Sequence, residues 1–173
     1  AKKALERGDY EAVGKAIAGV LPELRARATH YEDAAPLLRR ARILSLAATI
    51  RSNGRVAGRT SVDDENARLE RMLEAYQGLV LLKGKKLKLK EIDELEAEVM
   101  SRAANMRPEG KARLEALAAK DLLTSPEGWA ALATLRASEN DVAGATAARK
   151  TCAARAVNPQ QCAGFRAEAP GRS

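Results

Sequence analysis

Apolar residues along this chain recur three and four positions apart, the spacing that gathers them on one face of an α-helix, and helix stop and start residues interrupt the pattern at intervals. Lys2 to Arg7 predicts a short first helix ending at Gly8-Asp9. A second begins at Tyr10 and buries Val13, Ile17, Val20 and Leu21, with Pro22 as an interruption or kink and Leu24 to His30 as its continuation. Ala34 to Asn53 carries Leu37, Leu38, Ala41, Leu44, Ala48 and Ile50, and Asn53-Gly54 supplies a stop. Residues 54–61 read as a flexible loop. Asp63-Asp64-Glu65 then forms an acidic first turn, favourable at the positive end of a helix dipole, with Leu69, Met72, Leu73, Tyr76, Leu79 and Val80 facing inward.

The second half continues in the same way. Lys83-Gly84 ends the fourth long segment, and Leu87 and Leu89 alternate with lysine in a connector. Lys90 to Met106 predicts a helix buried on Ile92, Leu95, Val99 and Met100. Pro108 opens a helix over 108–123 with Leu114, Leu117 and Leu122 inward. Ser125-Pro126-Glu127 has an N-cap, a proline at the first helical position and an acidic first turn, and this helix runs to about Ser138. After a turn at 139–141 another helix reaches Val157, and Asn158-Pro159 opens a short last one to about Gly164. The fold class is all-α, with no credible strand.

Composition agrees with that pattern. Of 173 residues 36 are alanine and only five are aromatic, so the 46% hydrophobic content rests on Ala and Leu, strong helix formers, with too little Val, Ile, Thr and aromatic for a large sheet. The longest apolar candidate, Ile43 to Ile50, is far short of the ~20 residues that span a bilayer. One histidine and two cysteines exclude a histidine-rich metal centre. The first residues, Ala1-Lys2-Lys3-Ala4, lack an initiator Met and read as a processed product or a fragment.

Charge is uneven. The net +7 concentrates in residues 1–60, where twelve Lys/Arg face six Asp/Glu. Arg39, Arg40, Arg42, Arg51, Arg55 and Arg59 form a candidate basic patch, able to attract nucleic acid or an acidic protein; the alternative is arginine spread over solvated faces. Lys83, Lys85, Lys86, Lys88 and Lys90 form one dense run beside an acidic helix and read as a solvated loop. Cys152 and Cys162 lie about equally far on either side of a corner near residue 157, which makes a disulfide geometrically reasonable; two buried free thiols are the alternative.

The segment from Ser125 to Pro159 resembles a tetratricopeptide repeat. Trp129, Leu132 and Ala133 stand early in its first helix, Asn140-Asp141 at its turn, Ala145 early in its second helix, Cys152 at the later small position and Asn158-Pro159 at its end. Arg136 replaces the aromatic expected late in the first helix, and the closing proline comes two residues late. Arg7-Gly8-Asp9-Tyr10-Glu11 is similar to a second turn and helix start. The resemblance implies helix hairpins stacked as an α-solenoid, with an irregular helical bundle as the alternative, in one helical-repeat domain over 1–165 and a disordered tail over 166–173. It implies a partner groove at Glu127, Ala130, Thr134, Ala137 and Ser138 for a protein or peptide.

Chemistry of other kinds finds little support in the residues. His30 has no nucleophile or ligand set beside it, and Gly54 to Ser61 lacks the lysine and spacing of a phosphate cradle. Asp63, Asp64 and Glu65 cap a helix, while Glu91, Asp93, Glu94, Glu96 and Glu98 read as the solvated face of an amphipathic one. No catalytic residue, metal ligand or cofactor is expected, and the chain reads as no enzyme. The expectation is a scaffold for protein–protein interaction outside the cytoplasm of a bacterium, in the periplasm or envelope, assisting assembly of an envelope or secretion complex. The alternative is a cytoplasmic basic module that binds nucleic acid or an acidic protein through its N-terminal third.

Overall fold

The computed structural model describes residues 1–54, 61–83 and 90–162. Arg55, Arg59, most of the expected loop, the lysines at 85, 86 and 88, and the tail expected over 166–173 lie outside them. Among the described residues there are eight α-helices, one short 3-10 turn and no strand: α1 Lys2–Glu6, α2 Tyr10–Ala28, α3 Ala34–Gly54, α4 Val62–Lys83, α5 Lys90–Met100, α6 Arg107–Ala119, α7 Pro126–Ser138, α8 Val142–Arg155 and the turn Pro159–Cys162. The all-α expectation holds. Pro22 sits inside an unbroken α2, so the expected interruption there is absent.

The caps explain where several helices begin. Asp9 accepts from the Ala12 N–H at 3.0 Å, Ser125 from the Gly128 N–H at 3.0 Å and Asp141 from the Gly144 N–H at 2.8 Å, each satisfying a backbone donor that the first turn leaves free. Gly8 at φ 71° and Asn140 at φ 64° turn the chain at the ends of α1 and α7, in a left-handed conformation that glycine and asparagine tolerate best.

Helices adjacent in sequence pack together, most extensively α2 with α3, α3 with α4, and α7 with α8. Three apolar clusters make the core. Tyr10, Val13, Ile17, Ala41 and Ala48 join α2 to α3. Ala47, Ile50, Met72, Ala75, Leu79, Ile92, Leu95 and Val99 join α3 and α4 to α5. Leu114, Leu123, Leu132, Leu135 and Ala148 join α6 to α7 and α8. Alanine is the contact residue in all three, so backbones approach closely and the small side chains fill the space.

Two expectations about faces fail. Val20, Leu37 and Val80, expected inward, are exposed at 44, 58 and 45%. Leu123, fully buried, takes the inward place expected of Leu122. The Leu123 carbonyl, beyond the end of α6, accepts from Trp129 Nε1 at 3.0 Å and ties that loop to α7.

α5 touches α3, α4, α6 and α7. Its join to α6 is tightest at Gly110, where a Cβ would overlap the backbone of Met100 and Ser101. Gly110→Ala is therefore expected to cost about 1–3 kcal/mol as two backbones are forced apart. A urea midpoint indistinguishable from that of the parent chain would show that α6 can yield without loss.

Candidate functional site

The first and last described elements meet. Gln161 in the 3-10 turn donates through Nε2 to the Glu6 carbonyl at 3.3 Å and to Glu127 Oε1 at 3.1 Å, and the Tyr10 hydroxyl donates to the same Glu127 oxygen. Beside this meeting point lies a groove of ≈ 1320 Å³.

One face of α3 forms the spine of the groove. Pro36, Arg40, Ile43, Ala47 and Arg51 recur at three- and four-residue steps along it, so the groove follows α3 for about 22 Å at 1.5 Å per residue. Leu5 of α1, Leu81 and Leu82 of α4 and Leu95 of α5 complete the apolar walls. Lys2, Arg39, Arg40 and Arg155 bring positive charge to the lining, with Glu6 and Glu32 opposite in sign. This two-sided burial explains why α3 shows a weak helical stripe: its core face and its groove face are both partly apolar.

The far end of the groove is built on buried charge. Arg51 makes two hydrogen bonds to Glu98, Nη2 to Oε1 at 2.9 Å and Nε to Oε2 at 3.2 Å, while its Nε lies 3.9 Å from Glu127 Oε2. Glu98 is fully buried, and it also accepts from the Ser125 hydroxyl at 2.7 Å. Glu94 accepts from the Ser125 N–H at 2.6 Å and the Thr124 hydroxyl at 2.8 Å, bracing the start of α7. Arg102 donates to the Gly54 carbonyl at the end of α3. Burial pulls the Arg51 pKa down, but the charge of Glu98 and its hydrogen bonds, aided by Glu127 and Glu94, outweigh that and hold it above its ordinary value. At Arg102 burial prevails over the pull of Glu98 and Glu127 and lowers the pKa.

This corrects the reading of α5. Glu94, Glu96 and Glu98 are buried at 4, 4 and 0% exposure, rather than forming a solvated face. At 100° per residue Glu94 and Glu98 share a side of the helix while Glu96 lies nearly opposite, a dispersion that no single water-facing stripe explains. That spacing was the available signal. Arg51 and Arg102, which compensate these charges, lie on other parts of the chain and had no local mark. Glu96 meets Arg113 of α6 at 3.4 Å.

The groove positions implied by the resemblance scatter. Glu127 lines the groove, Ala130 is buried, Thr134 is half-buried, and Ala137 and Ser138 are exposed at the end of α7; of the five, only Glu127 lines this groove. The proposed basic patch divides likewise. Arg39, Arg40 and Arg51 line the groove, but Arg39 donates to the Leu82 carbonyl and Arg51 is committed to Glu98. Arg42 is exposed and does not line the groove.

Cys152 and Cys162 are paired as a disulfide, with Cα atoms 5.9 Å apart. The bond pins the 3-10 turn to α8 and thereby holds Gln161 in the groove wall. Among the described residues no three or more His, Cys, Asp or Glu side chains are arranged to hold a metal ion, and no helix is long and apolar enough to cross a membrane. No protein-family model matches this chain, and no curated protein or solved structure is detectably similar to it.

Proposed function

We propose that this chain is a non-catalytic scaffold of tetratricopeptide-like helix hairpins, curled rather than open, that binds a segment of a partner protein in its groove. The observation that carries the reading is the groove itself. At ≈ 1320 Å³ and about 22 Å along α3, it exceeds the ~300–1,000 Å³ of small-molecule pockets and fits several turns of an amphipathic helix. Apolar walls from Leu5, Ile43, Leu81 and Leu95 suit the apolar face of such a helix, as in helix-in-groove recognition. Leu81 is 83% exposed, an apolar side chain held in water at the groove's lip. The buried carboxylates at the far end are bound into hydrogen bonds that hold α5 and α7, which favours a binding use over a catalytic one. The disulfide favours an oxidising compartment, in line with an extracytoplasmic scaffold, and a role in assembling an envelope or secretion complex is the corresponding use.

A fluorescent helical peptide of leucine, alanine, glutamine and lysine with one apolar face tests the reading. Saturable binding is expected, weakened at least about tenfold, or 1.4 kcal/mol, by Leu81→Glu, a substitution on an exposed side chain that leaves the fold intact. Absence of saturable binding up to about 1 mM peptide would remove the groove reading.

A further inference from the structure

We infer that the charged end of the groove is a subsite for a single cationic side chain, a lysine or arginine carried by the docked segment, with Glu127 as its receptor. The inference rests on the groove reading above and deepens it. Three buried carboxylates, Glu94, Glu98 and Glu127, gather near two half-buried arginines, Arg51 and Arg102. Arg51 spends its two short hydrogen bonds on Glu98. Glu94 is satisfied by the neutral donors of Thr124 and Ser125. Glu127 is the carboxylate left over. Its Oε1 accepts from Tyr10 and Gln161, but its Oε2 is buried without a hydrogen-bond partner, the nearest cation being Arg51 Nε at 3.9 Å.

An ionised oxygen in that position is under-satisfied, a condition that costs more for a charged group than for a neutral one. Glu127 is only 3% exposed, yet it lines the groove. A cation arriving along the groove would supply the missing donor and the missing positive charge together. Tyr10 and Gln161, anchored in α2 and in the disulfide-pinned turn, hold the carboxylate from the other side, so the receptor is preorganised. The preceding apolar walls would grip the rest of the segment, and the cation would fix its register. Positive charge elsewhere in the lining, at Lys2, Arg40 and Arg155, disfavours a uniformly basic ligand. The fitting segment is therefore amphipathic, with one basic residue toward this end and acidic residues toward Arg40.

Two peptides of leucine, alanine and glutamine, identical except for one lysine in the terminal turn replaced by norleucine, are titrated against the intact, oxidised chain. The lysine peptide is expected to bind at least about tenfold more tightly, and Glu127→Gln to abolish the difference. Equal affinity of the two peptides for the parent chain would overturn the cation subsite and leave the groove reading standing. Failure of both peptides to bind would overturn both. The comparison on the parent chain does not depend on the variant folding.

Discussion

Arg51→Ala is expected to destabilise the chain by about 3–5 kcal/mol, the largest loss that a single side chain here should cause. The substitution leaves Glu98, at 0% exposure, and Glu127 without their nearest positive charge at the largely buried end of the groove. It would also loosen three helices at once, since Arg51 belongs to α3, Glu98 to α5 and Glu127 to α7. The pair should matter for what is left behind when one member goes, rather than for its net worth, because taking two ions out of water offsets much of their attraction. The double substitution Arg51→Met with Glu98→Leu is thus expected to be markedly more stable than Arg51→Ala. Urea unfolding measures both. If the single variant lost less than about 1 kcal/mol, the Arg51–Glu98 pair would behave as a solvated surface pair rather than a buried one. The raised Arg51 pKa adds no pH dependence in the working range. A cation whose folded pKa lies above its unfolded one contributes fully below the unfolded value, and loses that contribution only as pH rises through the folded value.

The second large effect concerns the disulfide. Cys152 and Cys162 are ten residues apart in sequence, and closing a loop of that size in the unfolded chain is worth about 3 kcal/mol. Reduction should lower Tm by roughly 6–12 °C at the ~2–4 °C per kcal/mol expected for a chain of this length. The protein should titrate no free thiol before reduction and two after it. Because the bond pins the turn that carries Gln161, reduction should also weaken peptide binding in the groove. Two titrated thiols with an unchanged Tm would show that the turn is held by Gln161 and its hydrogen bonds alone.

Helix positions were legible in the sequence because their determinants are local. Ser125, Pro126 and Glu127 mark the start of α7, and Asn140-Asp141 mark the turn into α8; capping and left-handed turns are settled by residues a few places apart. The disulfide was legible for the same reason, since both cysteines flank one corner. Burial was legible only in part. The three-and-four spacing identified Val13, Ile17, Leu79 and Leu114 as inward, but it could not tell a helix covered on one side from one covered on all sides.

The charged end of the groove shows the limit. By polarity Glu94 and Glu98 belong in water, and only the arrival of Arg51 and Ser125 from distant parts of the chain makes their burial tolerable. The same holds for the groove. Its spine, a second usable face on α3, has no periodic mark of its own, and its far end is closed by Tyr10 and Gln161 meeting on Glu127. The sequence by itself determined an all-helical chain, most helix limits and the cysteine corner, through short-range backbone chemistry. Tertiary structure alone decided which charges are buried and where the groove runs, because both depend on pairing residues up to more than a hundred positions apart.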